Sequence, residues 1–220
     1  MKIGILLHGC GVFDGSEIHE SVLTLLFLEK AGVESVCISI NKPQLHVVDH
    51  ITGHVAEGVK RNIMEESARI ARGKIRDLKT VSVDEIDGLI IPGGFGVAKN
   101  LCDFVVKGEN CSVEPEVENF LKELHSKRKP IGAICIAPAL VAKIFGKDIK
   151  PRLTIGNDQS TADKINKMGA EHIECPVNNF VVDEKYKIVT TPAYMLGPGI
   201  KDIAEGIEGL VKAVVELATK

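Results

Sequence analysis

The sequence has no excess of basic residues, since 27 Lys and Arg stand against 30 Asp and Glu in 220 residues and the net charge is −3. This balance argues against recruitment by nucleic acid or by an anionic membrane surface. The opening run "MKIGILLHG" is too short to cross a bilayer, and no small-residue cleavage site follows it. We therefore expect a cytoplasmic protein whose partner is a small molecule or another protein chain.

The sequence also lacks any C-x-x-C pair, although it contains six cysteines. A zinc site or a redox dithiol is therefore not indicated, and in a reducing compartment most of these thiols are expected to be inert core residues. The single cysteines are Cys10, Cys37, Cys102, Cys111, Cys135 and Cys175.

Three histidines, His46, His50 and His54, are spaced by four, which on a helix would form a metal-binding face. Thr52, Gly53 and nearby β-branched residues disfavour a helix there. We expect a surface loop or hairpin instead, and we predict neither a metal nor another cofactor.

Short apolar runs alternate with longer segments of helical period along the whole chain, and hydrophobic residues make up 45% of it. This alternation predicts an α/β protein in which helical crossovers connect the strands of a mainly parallel sheet. No repeat or low-complexity linker interrupts the pattern, so we expect one domain over residues 1–220. Predicted strands include "KIGILL", "ESVCISI", "DGLII", "PIGAI", "RLTIG" and "KIVTT".

Ligands of open parallel sheets bind beyond the carboxyl ends of the strands, and three motifs fall there: "HGCGVFDGSE", "PGGFG" and the cysteine after "PIGAI". The first motif begins like a dinucleotide-binding loop. However, Asp14 occupies the third glycine position and no acidic residue ends the second strand, so a nicotinamide cofactor is not expected.

Cys135 lies between a strand and a helix, which is the arrangement of a nucleophile elbow. Pro138 suits the first helical turn, where the missing N–H costs nothing, so the free amides begin near Ile136. The helix dipole there predicts a depressed thiol pKa. The alternative is that Cys135 is simply a small buried hydrophobe.

Two further features accompany the elbow. Gly93 and Gly94 follow a strand and could present backbone N–H groups to an oxyanion, with Gly94 the favoured donor, although a tight turn explains them equally well. Glu17 matches a D-x-x-E helix cap, and its loop should open beside the elbow, where a carboxyl could exchange a proton with the thiol or act as a general base.

The motifs "HGCGVFDGSEIHE", "RNIMEESARIARGKI", "PGGFGVAKNL", "CIAPAL", "MGAEH" and "VTTPAYM" together resemble the ElbB-type glyoxalases associated with isoprenoid biosynthesis. These belong to the PfpI-like branch of the class I glutamine amidotransferase-like superfamily. The resemblance covers nearly the whole chain. It implies a flavodoxin-like three-layer sandwich, the elbow cysteine at Cys135 and the helix-one glutamate at Glu17.

The resemblance further implies a cofactor-independent glyoxalase, a lyase of the hydro-lyase class, that acts on small 2-oxoaldehydes such as glyoxal and methylglyoxal. In this hypothesis Cys135 forms a hemithioacetal, Glu17 moves the proton, and Gly94 and Ile136 stabilise the oxyanion. Gly93 and Asn157 complete the predicted substrate-binding set. A homodimer is implied as well.

The sequence departs from PfpI-type peptidases in one respect, because Ile136 stands where they place a histidine after the cysteine. Asn157 likewise occupies a position where some relatives carry a histidine. An amide hydrolase would need His19 or His172 instead, and the "HIE" at His172 is interpreted as structural. The remaining alternative is a redox-sensing or binding protein in which the same thiol is oxidised.

Overall fold

A computed structural model describes all residues, 1–220. The helices are α1 (Ile18–Lys30), α2 (Ile63–Ile70), α3 (Phe104–Lys107), α4 (Pro115–Ser126), α5 (Ala137–Ile149), α6 (Gln159–Lys167) and α7 (Ile200–Ala218). The strands are β1 (Lys2–Leu6), β2 (Glu34–Ser39), β3 (Arg76–Asp77), β4 (Gly88–Ile91), β5 (Ile131–Ile134), β6 (Arg152–Leu153), β7 (Glu171–His172), β8 (Val181–Asp183) and β9 (Ile188–Thr191).

Seven strands form one sheet in the order β3-β2-β1-β4-β5-β9-β8. Every pair in it is parallel except β8 with β9. The central strands β4, β5 and β9 are buried along their whole length, as expected of strands covered on both faces. The predicted mainly parallel, flavodoxin-like α/β fold is therefore confirmed.

Alternation along the strands divides the core into two clusters, one on each face of the sheet. Ile3, Ile5 and Ile90 pack with the apolar faces of α1 and α7. On the opposite face, Leu89 and Ile91 pack with α4 and α5. These faces give the three layers of the sandwich, with the carboxyl ends of β1, β4 and β5 meeting along one edge.

Several local features differ from the sequence-based expectations. The strand expected over "RLTIG" is limited to β6, which pairs with β7 in a separate two-stranded sheet. The segment 97–107 contains a wide helical turn over Val97–Leu101 followed by α3, neither of which was predicted. The hairpin expected around the three spaced histidines is present, since Val48 pairs with Val55.

None of the helices combines the length and the apolar character that crossing a bilayer would require.

Candidate active site

Cys135 occupies a sharp turn between β5 and α5, and its φ is +63°. A non-glycine residue in this left-handed conformation costs roughly 1–2 kcal/mol. The turn is held in part by the Cys135 N–H, which donates to the Thr191 carbonyl of β9 at 2.9 Å. Strained backbone of this kind is concentrated at functional sites, and here it creates the predicted nucleophile elbow.

The backbone N–H groups of Gly94 and Ile136 lie beside the Cys135 sulfur and act to lower the pKa of its thiol. Ile136 is the N-cap position of α5, and Pro138 lies in the first turn, so the helix begins as the sequence predicted. Gly94 has a φ of +101°, and a Cβ there would overlap the Gly15 carbonyl oxygen. Glycine is therefore required for this loop to bring its N–H to the sulfur.

The carboxyl beside the thiol belongs to Glu20, which is fully buried. Its Oε2 accepts from the Gly93 N–H at 2.8 Å, and its Oε1 accepts from the Tyr194 N–H at 3.3 Å. The carboxyl also lies beside the Cys135 thiol, since a Cβ at Gly93 would fall 2.6 Å from Glu20 Oε2 and 3.0 Å from the Cys135 sulfur. The glutamate of α1 that contacts the thiol is therefore Glu20. The prediction had named Glu17, which lies one turn earlier in the sequence.

Burial raises the pKa of Glu20 to about 8, and repulsion from Glu17 adds to the shift. Burial, followed by the charge of Glu20, raises the pKa of Cys135 well above that of a free thiol, against the opposing effect of the two N–H donors. The prediction that the helix dipole lowers the pKa of Cys135 is therefore wrong, because the loss of solvation on burial has a larger effect than the dipole. At neutral pH the Glu20 carboxyl and the Cys135 thiol therefore both keep their protons.

Glu17 serves as the N-cap of α1, since its Oε2 accepts from the Glu20 N–H at 2.7 Å. It also lines the cavity that contains Cys135. Glu17 therefore both caps the helix and faces the cavity beside the elbow, the two positions that the sequence suggested. Glu17 as the group that moves a substrate proton stays a prediction.

Two residues of the predicted substrate-binding set, Gly93 and Asn157, do not present a group to the cavity. The Gly93 N–H is already engaged by Glu20, and a Cβ at Gly93 would overlap the side chain of Cys135, so Gly93 packs against the elbow and offers no oxyanion donor. Asn157 is exposed and is not among the residues that line the cavity. Asn157 follows Gly156, which has a φ of +99° and lies against Leu196, and the exposed segment 157–160 begins there.

The cavity beside Cys135 has a volume of about 490 Å³, and its wall is mostly apolar. Thr161 and Lys164 of α6 contribute polar groups that the sequence analysis did not assign to the site. The lining residues are Val12, Glu17, Gly94, Phe95, Ala98, Phe104, Val105, Cys135, Ile136, Thr161, Lys164, Tyr194 and Met195.

No histidine lines this cavity. The His19 ring nitrogen Nδ1 is hydrogen-bonded to the Tyr194 hydroxyl at 2.7 Å, and His172 Nε2 accepts from the Ile155 N–H at 3.4 Å. No group of three or more His, Cys, Asp or Glu side chains is arranged to hold a metal ion.

Glu20 is the principal site residue that sequence reasoning missed, although a signal for it was present. It lies on the face of α1 that also carries Leu23, Thr24 and Phe27, all of which are buried. An acidic residue at a core-facing helical position needs a partner to be tolerated. Its position therefore indicated a buried contact, whereas the capping pattern drew attention only to Glu17.

A mainly parallel sheet with a cysteine at a strand-to-helix elbow and a helix-one glutamate against its sulfur defines a flavodoxin-like α/β protein of the class I glutamine amidotransferase-like type. The family model described as "DJ-1/PfpI family" matches residues 10–195. The chain belongs to this family.

Its relatives extend the match over the full chain. The human "Glutamine amidotransferase-like class 1 domain-containing protein 3, mitochondrial" is 44% identical over 100% of this chain and 84% of its own length. The rat "ES1 protein homolog, mitochondrial" is 44% identical over 100% of this chain and 85% of its own length. A crystal structure of an "isoprenoid biosynthesis protein with amidotransferase-like domain" from Ehrlichia chaffeensis superposes with a TM-score of 0.91 at 39% identity, covering 98% of this chain and 99% of that one.

The names of the human and rat relatives place those proteins in mitochondria. The prediction of a cytoplasmic protein is therefore contradicted. It depended on the opening run of the sequence, which does not determine the compartment.

Proposed function

We propose that this protein is a cofactor-independent enzyme of the glyoxalase type that converts 2-oxoaldehydes into 2-hydroxy acids. The observation that carries the proposal is the meeting of three groups in one cavity: the elbow thiol of Cys135, the N–H donors of Gly94 and Ile136, and the carboxyl of Glu17. The description of the Ehrlichia relative as an isoprenoid biosynthesis protein supports grouping this chain with the ElbB-type glyoxalases.

The first step is the addition of the Cys135 sulfur to the aldehyde carbon. A carbon–sulfur bond forms, the carbonyl π bond breaks, and the thiol proton ends on the former aldehyde oxygen, giving a hemithioacetal. While charge develops on that oxygen, the Gly94 and Ile136 N–H groups stabilise it. Glu20 holds the sulfur in place and, being protonated at neutral pH, adds no negative charge that would oppose the attack.

In the second step Glu17 removes the proton from the former aldehyde carbon and returns it to the neighbouring ketone carbon, while the hydroxyl proton of the hemithioacetal passes to the ketone oxygen, so that the intermediate is an enediol. The aldehyde carbon is thereby oxidised to a thioester while the ketone carbon is reduced to an alcohol, so no external oxidant or reductant is needed. Water then cleaves the carbon–sulfur bond, which releases the 2-hydroxy acid and restores the thiol.

The structure offers little support for the peptidase or amide-hydrolase alternative. That chemistry needs a histidine base beside the thiol, and neither His19 nor His172 lines the cavity, while their hydrogen-bonded ring nitrogens are paired with Tyr194 and Ile155. The raised pKa of Cys135 opposes oxidation of the thiol and its attack on a carbonyl alike, so it does not separate the sensing alternative from the proposed enzyme. A cavity of about 490 Å³ beside the sulfur favours turnover of a bound molecule.

Incubation with methylglyoxal in D₂O, with a chelator present and no added thiol, tests the proposal. We expect lactate, with deuterium at carbon 2 in those turnovers in which the proton on Glu17 exchanges with solvent before it is returned. Glu17→Gln should lose most of this turnover. Absence of lactate would overturn the glyoxalase proposal, and wild-type turnover by Glu17→Gln would contradict the route through Glu17.

A further inference from the structure

The cavity is far larger than the small aldehydes that define the reaction class. Its volume of about 490 Å³ falls in the range that encloses drug-sized ligands. Methylglyoxal has only five non-hydrogen atoms. Apolar side chains such as Phe95, Phe104 and Met195 form most of the wall, so the space beyond the reacting carbonyl suits an apolar body.

Lys164 adds one cationic group to this apolar wall. Its Nζ lies 5.9 Å from the centroid of the Phe104 ring, and its stem passes over Gly108. Both contacts fix the lysine against the α3 side of the cavity. Thr161 lies one turn earlier on α6 and lines the same cavity, but it is engaged by the Asp158 carboxylate, the N-cap of α6, which accepts from its N–H at 2.8 Å.

The charge of Lys164 has no acidic partner within ion-pair distance in the structure. The nearby Glu109 carboxylate pairs with Lys167 instead, at 3.3 Å. The other charged group on the cavity wall is Glu17, which comes from the start of α1 beside the elbow. The wall therefore has an acidic region at the reacting thiol and a separate basic region on α6.

We infer that the cavity selects 2-oxoaldehydes with an apolar body and an anionic group, which pairs with Lys164 Nζ. This inference rests on the proposed function. An anionic group near Glu17 would be repelled, so the two charged regions orient the substrate with its aldehyde at Cys135. Lys164 is thus a specificity-determining residue of the site.

The substrate test compares 4-carboxyphenylglyoxal with phenylglyoxal, which differ in one carboxylate. We expect kcat/KM of the wild type to favour the carboxylate by about tenfold or more, mainly through KM. Lys164→Met should abolish this ratio, and Lys164→Arg should retain it. Lys167→Met, which removes a lysine already paired outside the cavity, is the matched control and should keep the wild-type ratio.

A labelling test separates this inference from the glyoxalase proposal, because it needs no turnover. Alkylation of Cys135 by 4-(chloroacetamido)benzoate is compared with alkylation by neutral chloroacetanilide, followed by peptide mass. Faster labelling by the benzoate, lost in Lys164→Met, supports the inference even if no aldehyde is converted. Equal rates for both reagents in the wild type, or an unchanged ratio in Lys164→Met, would overturn it whether or not aldehydes are converted.

Discussion

At the scale of single residues, the site depends on buried titratable groups whose charged forms are disfavoured. Glu20 lies fully buried against Cys135, and His8 lies fully buried at the end of β1. Such groups make the free energy of unfolding depend on pH, because the folded and unfolded chains bind different numbers of protons. Their effects have opposite signs and can be measured separately.

Glu20 should make the folded protein less stable as the pH rises. Between about pH 4.5 and 8 the folded protein keeps a proton on Glu20 that the unfolded chain has released, because burial raises the pKa of Glu20 to about 8. The free energy of unfolding therefore falls by up to about 1.4 kcal/mol per pH unit in this window. Glu20→Gln should remove that fall in urea titrations at pH 5 and pH 8.

The exposed Glu65→Gln is the control for this comparison and should retain the wild-type dependence. If Glu20→Gln lost as much stability between the two pH values as the wild type does, the buried protonated carboxyl would be contradicted.

His8 should act in the opposite direction. Its Nε2 hydrogen-bonds the Pro92 carbonyl at 3.0 Å, and burial lowers the pKa of His8 to about 4. Between pH 6.5 and 4 the unfolded chain binds a proton that the folded protein excludes, so stability present above pH 6.5 is lost on acidification, by roughly 3 kcal/mol in total. His8→Gln should flatten this acid limb of the unfolding free energy, even though it lowers stability at pH 7.

The exposed His54→Gln provides the control and should leave the acid limb unchanged. A His8→Gln protein with the full wild-type loss between pH 6.5 and 4 would show that another group is responsible.

At the scale of elements, the loop after β4 sets the distance between the elbow and α1. Gly93 packs directly on Cys135, and a Cβ there would also lie 2.6 Å from Glu20 Oε2. Gly93→Ala should therefore separate the carboxyl from the thiol and cost about 1–3 kcal/mol, as is typical of overpacked sites. Chemical denaturation and the alkylation rate of Cys135 would measure both effects.

Gly199→Ala is the matched control, because the nearest atom to a Cβ there is Asp202 Oδ2 at 3.4 Å. It should cost less than about 1 kcal/mol and leave the thiol unaffected. Equal costs for the two variants would refute the close packing of Gly93 on the elbow.

The elements of the sheet could be predicted because their signals are local. Strand β5 is a short apolar run, and Pro138 with Cys135 indicates the strand-to-helix turn. The wall contributed by α3 and α6 could not be predicted, because Phe104 and Lys164 are brought together only by the packing of distant segments. The exposure of Asn157 could not be predicted either, because its own residue type does not show that the buried run 153–156 ends just before it.

At the scale of the whole molecule, the surface carries an apolar stripe on the outer side of α1. Ile18, Val22 and Leu26 are spaced by four residues and are 43%, 49% and 41% exposed. A stripe of this kind can pair with the same stripe of a second copy across a two-fold axis. We propose that the homodimer predicted from the sequence forms through this face.

Val22→Glu should shift a dimer toward the monomer, because it would bury two charges at the centre of that interface. Light scattering coupled to size exclusion reports the mass. Ile51→Glu on the exposed hairpin, where the side chain is 97% exposed, should leave the mass unchanged. A monomeric wild type, or a dimer unaffected by Val22→Glu, would contradict the proposed face.

The proposal that Cys135 is the nucleophile of a glyoxalase-type reaction is tested most directly by the rate of glycolate formation from glyoxal in wild type and Cys135→Ala. Circular dichroism establishes that both are folded, and Cys10→Ala, which removes a free thiol outside the cavity, is the control. We predict that Cys135→Ala forms glycolate at least 100-fold more slowly than either, since removing an essential nucleophile costs on the order of 10²-fold or more. Glycolate formation by Cys135→Ala at the wild-type rate would contradict the account.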